Sequence, residues 1–503
     1  MKFLHKLRII SLLSLVTTVS AFSQNYEISI SLKSNNDTVL LCHYFANSDI
    51  TRARIDATVV LKNGKGVLKS DKKLAKGVYF IYNDRKKFDI IIGDNQKFGI
   101  VTDTIDFINH TKFTNSPDND VFYEFQRYNA EGTKQFIKLN EQFGKTTNED
   151  ERRSLIATVD ELRGNRTKFI EKLIADNSHM YVSKFLKALI PVETYVPEPP
   201  RDEEGKITDR EFQYRWYRAN FFSNLNIFDP DMLRTPFYED KLLEYVTRVI
   251  PQITDTVCVE IDKILTKVQK NDELFRFVMA TLYNHYRNSM EKVIVDKGVV
   301  PENVWFHISD KWFIPFSFWS TDESKESLRE RLNKIGPNLI GNQAPPMEML
   351  MVLPPEHFKA AALDTAIKND LHAGRMVEDF RKELKSKFTV LFFWDYTCGH
   401  CKKAIMELYE LWEESKDKGM NVIAIQMVVS KEAKAKSIDY INEQNLFGIG
   451  WTNAWSPYSY KYKELYNTTL SPTVYLLDEK GVILLRRDHG FGVENLKDFF
   501  KNL

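Results

Sequence analysis

Cysteine is scarce in this chain. There are four in 503 residues, Cys42, Cys258, Cys398 and Cys401, far too few for a disulfide-stapled scaffold, so packed cores must supply the stability. A surplus of one charge sign is missing as well. The formal net charge is +1, so nothing basic argues for nucleic acid, and no RNA- or DNA-reading motif appears. Beyond the first two dozen residues no segment is apolar enough to span a membrane, which takes about 20 apolar residues. With 43% hydrophobic and 28% charged residues, the composition excludes wholesale disorder and a membrane bundle. The length exceeds what one core can organise and predicts about three domains.

Residues 1–23 read as a leader, set aside before the fold is considered. Lys2, Lys6 and Arg8 form a positive start, and Ile9 to Val19 is an apolar run. Ala21-Phe22-Ser23 then places small residues at both positions a signal peptidase reads. Cleavage is expected before Gln24. A short transmembrane anchor is the alternative, but the run falls below bilayer-spanning length. No cysteine follows it directly, so a lipoprotein is not expected. The reading is export to the periplasm or cell envelope. Losing three basic residues and no acid takes the net charge from +1 to −2, which implies no special partner.

Residues 24–116 read as an antiparallel β-sandwich. Tyr26 to Leu32 alternates with period two, and Thr38 to Tyr44, Ala57 to Leu61, Val78 to Tyr82 and Asp89 to Ile92 are short β-rich runs. Turn clusters such as Asn63-Gly64-Lys65-Gly66 separate them. Residues 117–335 read as an α-helical domain, with Leu155, Val159, Leu162, Phe169 and Leu173 near helical spacing, as are Ile261, Ile264, Leu265 and Val268. Pro197 to Gly205 is too rich in proline for helix and reads as an exposed loop. Trp305, Trp312, Phe316, Phe318 and Trp319 could line a peptide groove, but burial against the next domain is the expectation.

In residues 336–503 strand and helix alternate. Phe388 to Trp394 is a near-continuous apolar run, as expected of a strand buried on both faces. A helix from Cys398 follows, with Ile405, Leu408, Leu411 and Trp412 inward. Asn421 to Val428 is a strand, Ala433 to Glu443 a helix, Thr473 to Leu477 and Val482 to Arg486 strands around a turn, and a closing helix starts at Val493. That is βαβαββα, an α/β domain with a mixed sheet. The fold class is therefore multidomain α+β.

Cys398-Gly399-His400-Cys401 lies where a buried strand meets a helix. At a helix N-terminus a thiol faces unpaired N–H groups and the positive end of the helix dipole, which favour thiolate. Cys398 is expected to be the exposed nucleophile and Cys401, one turn in, the shielded resolving thiol. A donating His400 imidazole would favour the thiolate further. Zinc would need a second ligand pair, and His357, His372 and His489 show no ligand spacing. An inert structural bridge is the other alternative. No metal and no cofactor are expected beyond the redox-active Cys398–Cys401 disulfide. Cys42 and Cys258 are expected to be buried free thiols.

Phe393-Trp394-Asp395-Tyr396-Thr397-Cys398-Gly399-His400-Cys401-Lys402-Lys403 resembles the active-site segment of thioredoxin-fold proteins. Ser471-Pro472-Thr473 resembles their cis-proline loop. Asn338 to Pro345 and the insertion from Ser437 to Tyr466 resemble the TlpA-like, or AhpC/TSA-like, branch. The resemblance covers about the last third of the chain. It implies a thioredoxin-like thiol–disulfide oxidoreductase, with Pro472 beside the cysteines, Ser471 binding substrate backbone, and Trp394, Gly399 and His400 supporting the pair. The upstream regions resemble accessory domains of Gram-negative envelope proteins. The implied partners are client protein thiols and disulfides and a membrane or envelope electron donor.

Three positions depart from the family pattern. Phe392 stands where thioredoxins place a buried acid, Ala404 where TlpA-like relatives place a glutamate, and Met406 where a helix-kinking proline is usual. The proton acceptor for Cys401 is thus unassigned, with Asp395 a weak candidate. Three functions stay open: a reductase or electron relay for client thiols, a disulfide isomerase or oxidase favoured by His400, and a binding protein whose redox domain is secondary.

Overall fold

The computed structural model describes residues 25–290, 298–347, 350–352, 370, 372–427, 430–456, 461–468, 470–488 and 492–503. The expected leader, His357 and His489 lie outside them. Contacts divide the chain into two compact units, 1–245 and 246–503. The division falls inside the helical stretch 117–335.

The first unit opens with a sandwich of two four-stranded sheets. One contains β1 (Tyr26–Lys33), β4 (Lys65–Ser70), β7 (Lys97–Asp103) and β8 (Lys112–Thr114). The other contains β2 (Thr38–His43), β3 (Arg54–Val60), β5 (Gly77–Asn83) and β6 (Lys86–Ile92). The alternation in β1 sends Tyr26, Ile28, Ile30 and Leu32 inward, where they meet Val39, Leu41, Ile81 and Ile90. Pairing is antiparallel except between β1 and β7, which run parallel from Glu27↔Lys97 to Lys33↔Asp103. The Asn63 turn is tighter than expected. Only Asn63 and Gly64 take positive φ, 50° and 73°, as in a two-residue hairpin loop, and Lys65 already belongs to β4.

β5 is buried on both faces. Its second face, with Cys42 and Ile91 from neighbouring strands, is covered by α1 (Pro117–Lys145), α2 (Glu149–Asp176) and α3 (Tyr181–Ala188) through Phe122, Phe125, Ile170, Leu173 and Phe185. Three of the helices in the expected helical stretch thus complete the sandwich's own core.

The second unit begins with α4 (Thr254–Val268), α5 (Asp272–Asn288), α6 (Pro301–Ile308) and α7 (Asp322–Ile335). The aromatic run is only partly buried. Trp305 and Trp312 are inside, and Trp312 Nε1 donates to Asp262 at 2.5 Å. Phe316 and Phe318 are 43% and 59% exposed, so burial of the whole run does not hold. Asn303 on α6 donates to the Ile340 carbonyl at 2.8 Å, tying these helices to the α/β part.

That part is a seven-stranded sheet ordered β10-β9-β13-β12-β11-β14-β15. Its strands are β9 (Leu350–Val352), β10 (Arg375–Val377), β11 (Phe388–Trp394), β12 (Met420–Gln426), β13 (Trp451–Trp455), β14 (Thr473–Asp478) and β15 (Ile483–Asp488). β11, β12 and β13 are parallel; β14 and β15 return antiparallel. One sheet face is covered by α8 (Gly399–Ser415), α9 (Lys431–Glu443) and α10 (Gly492–Lys501). Phe380, Tyr462 and Tyr466 pack on the other. The βαβαββα order is present, with three further strands. β13 escapes a hydrophobic reading because its centre, Thr452-Asn453-Ala454, is polar or small. Asn453 is buried but satisfied by Trp451 and the Leu446 carbonyl. Among the described residues no helix is long and apolar enough to cross a membrane.

Candidate functional site

β11 is buried along its whole length and delivers the chain to a fixed point at the sheet's edge. There Asp395 Oδ1 accepts from the Thr397 N–H at 2.8 Å and the Thr397 hydroxyl at 2.7 Å, an Asx-type turn. The Asp395 carbonyl takes the Cys398 N–H at 3.1 Å. This turn sets Cys398 as the N-cap of α8, with extended φ and ψ of −85° and 119°. Its own carbonyl starts the helix by accepting from Lys402 at 3.1 Å. A serine or aspartate at such a position would cap with oxygen. Here sulfur occupies the place and faces the helix start without closing a cap hydrogen bond.

The electrostatics follow from that placement. Burial pushes the Cys398 thiol up, but donors outweigh it: the Cys401 N–H, the Cys401 thiol, the His400 N–H and the Ser471 hydroxyl. The net result lies below the ordinary thiol value. Cys401 is fully buried, and burial first of all raises it to about 11, against opposing donors at Asp395 and Ser471. One thiol is primed and half-exposed; its partner is protonated and shielded. Both are free thiols.

The Ser471–Pro472 peptide is cis. The Ser471 carbonyl lies 3.9 Å from Cys398 Sγ, and Pro472 is buried behind it. The two expected loop residues and the two cysteines therefore meet, although they are separated by some seventy positions. Gly399 is exposed, and a Cβ there would meet nothing, so the position is open rather than sterically restricted. His400 is also exposed. Its backbone N–H acts on Cys398. Trp394 is fully buried behind the site, its ring 5.9 Å from that of Tyr440.

The departures are real in space. Phe392 is buried in the core where an acid would sit, and Ala404 is buried one turn beyond Cys401. Asp395 Oδ1 is held by Thr397, and the Asp395 backbone acts on the Cys401 thiol. Cys42 and Cys258 are buried free thiols, raised by burial to about 11 and about 12. Among the described residues no three His, Cys, Asp or Glu side chains converge as a metal site.

Two buried polar residues near this sheet edge had no signal in the sequence. Lys434 on α9 is fully buried and donates to the Asp370 and Ala373 carbonyls at 2.7 and 3.1 Å. Burial lowers it to about 8. Gln426 ends β12 beside Trp394. Both stand in strongly periodic elements, where a lone polar residue reads as a solvent-facing position.

Comparison with known proteins matches residues 360–485 to the AhpC/TSA family and residues 26–122 to a domain of unknown function, DUF4369. No curated protein matches the chain. Solved structures similar to it include a thioredoxin-like protein from Bacteroides caccae. It is 16% identical over 61% of this chain and 98% of that one, with a TM-score of 0.37. A domain of a possible thiol-disulfide isomerase from Cytophaga hutchinsonii is 28% identical over 33% and 92%, with a TM-score of 0.24. A thiol-disulfide oxidoreductase from Bacteroides fragilis is 23% identical over 31% and 99%, with a TM-score of 0.23. Residues 360–485 thus match the AhpC/TSA family model, within a sheet whose strand order and paired cysteines at a helix start fit a thioredoxin-like domain.

Proposed function

We propose that this chain exchanges disulfides with client proteins in the cell envelope through Cys398 and Cys401, acting as a reductase or electron relay. The observation that carries the proposal is the opposed state of the two thiols, one lowered at a helix N-terminus and one raised by burial. The Cys398 thiolate attacks a client disulfide, forming one S–S bond while the client's own S–S bond breaks and its first sulfur leaves as thiolate. Cys401 then loses its proton and attacks Cys398 Sγ. The second client sulfur leaves with the electron pair and takes up a proton from solvent. The client is reduced by two electrons, and Cys398–Cys401 becomes a disulfide that an envelope donor must reduce again.

Ser471, with its carbonyl facing Cys398, is suited to hold a client backbone in extended form. The leader expected over residues 1–23, with cleavage before Gln24, supports an envelope location. The position of His400 bears on direction. Its backbone N–H helps to lower the Cys398 thiol, and the reduction potential reads the direction of exchange. A reduction potential near −270 mV would agree with a reductase, and one near −180 mV with an isomerase. The direct test uses the Cys401→Ser variant of the full chain. It should accumulate mixed disulfides at Cys398 with a disulfide-bonded client. If no adduct forms under conditions where a free thiol does react, disulfide exchange is not the activity.

A further inference from the structure

Cys401 must shed a proton before it can attack, and among the described residues the groups acting on its thiol are the Asp395 backbone, Ser471 and Cys398. Phe392 fills the position where an acid could sit, and Asp395 Oδ1 is bound to Thr397. The neighbouring strand supplies something else. Gln426, the last residue of β12, is 1% exposed, and neither its Oε1 nor its Nε2 has a hydrogen-bond partner. Its register partner across the parallel ladder is Trp394, whose Nε1 is likewise buried and without a partner.

These atoms lie on the face that Cys401 occupies. Side chains alternate along a strand, and Val422 and Ala424 belong to the same core as Trp394 and Cys401. Gln426, two residues beyond Ala424, continues that face. The link to the sulfur is short in chain terms. Cys401 accepts from the backbone of Asp395, the residue directly after Trp394, and the Met427 N–H after Gln426 donates to the Trp394 carbonyl at 2.9 Å. Three buried polar atoms without partners thus belong to one register pair, Trp394 and Gln426, at the end of strands whose alternate residues share a core with Cys401. Buried polar groups without protein partners are characteristically satisfied by ordered water, which needs two to four such partners.

We propose that Gln426 and Trp394 Nε1 hold a buried water beside Cys401, and that this water carries the proton away when Cys401 resolves the mixed disulfide. The inference rests on the oxidoreductase reading above. Trp394 Nε1 donates to the water oxygen, Gln426 Oε1 accepts one of its protons, and the remaining lone pair faces the thiol. The Cys401 S–H proton passes to the water and on to solvent. The electron pair left on sulfur forms the Cys401–Cys398 bond as the client–Cys398 bond breaks. The departing client thiolate recovers a proton from solvent, so charge and protons balance. Gln426 is a positioning residue, since it acts through the water and never touches the client.

The test is single-turnover release of a disulfide-linked client peptide from Cys398, followed across pH in the full chain. Gln426→Leu keeps the volume and removes both polar atoms. Release should slow about tenfold at neutral pH, with its midpoint moved up by about one pH unit, while alkylation of Cys398 keeps its pH profile. Gln426→Glu, which retains an acceptor, should restore the rate. If Gln426→Leu does not fold, Gln426→Asn withdraws the amide by one methylene and serves the same arm. An unchanged release midpoint in the leucine or asparagine variant overturns the proposal. So does equal slowing in the glutamate variant with no movement of the midpoint. Failure of the unmodified protein to form the peptide adduct at all sinks the oxidoreductase reading and this inference with it.

Discussion

The sandwich and the thioredoxin-like domain solve one structural problem in the same way and reach opposite chemistry. Each has a strand buried on both faces, β5 in the first and β11 in the second, with helices covering one side of the sheet. Each carries cysteine in that setting. Cys42 lies within β2, its side chain in the core beneath α1 to α3, and burial raises it to about 11. Cys398 comes four residues after the end of β11, where the chain has turned into a helix, and backbone donors bring it below the ordinary thiol value. Reactivity therefore depends on unpaired N–H groups at the helix start. The residue type alone does not confer it.

The strongest way to break this contrast is Cys398→Ser, which should remove disulfide exchange altogether, whereas Cys42→Ser should leave turnover intact; both are read by reduction of a disulfide-bonded client. A smaller effect is expected of Ser471→Ala. Its hydroxyl lowers the Cys398 thiol, so its loss raises that thiol and shrinks the thiolate fraction at any pH below the titration. Exchange at pH 6 should slow roughly threefold, and the difference should vanish well above the Cys398 midpoint. The smallest effect on chemistry belongs to Leu41→Ala. Leu41 is fully buried in the sandwich core, so its truncation should cost that unit about 2–5 kcal/mol in denaturant unfolding. The reaction rate of Cys398 should not change. A drop in that rate would mean that the first unit shapes the site.

Much of the second unit was legible because its signals are local. An unbroken apolar strand, a CxxC at a helix start and a Ser-Pro before a strand are each readable within a few residues, and the structure brings Cys398 to Ser471 as expected. What was illegible depends on contacts that no periodicity shows. β13 has a polar centre that only Leu446 and Trp451 satisfy. The helices between 117 and 335 look alike in sequence, yet α1 to α3 complete the sandwich core, while α4 to α7 belong to the second unit. His400 reads in sequence as a further stabiliser of the thiolate through its ring, whereas the contribution of its backbone N–H depends on the helix start and has no signal of its own. The aromatic run splits, with Trp312 finding Asp262 and Phe318 finding solvent.

The central claim is that the start of α8 holds Cys398 as a thiolate, and the pH profile of its alkylation in the reduced protein tests that most directly. The rate at Cys398 should rise with pH and level off at a midpoint below the ~8.5 of a free thiol, with Cys42 and Cys258 unlabelled until the protein is denatured. A midpoint for Cys398 at or above that of a free thiol would contradict the account.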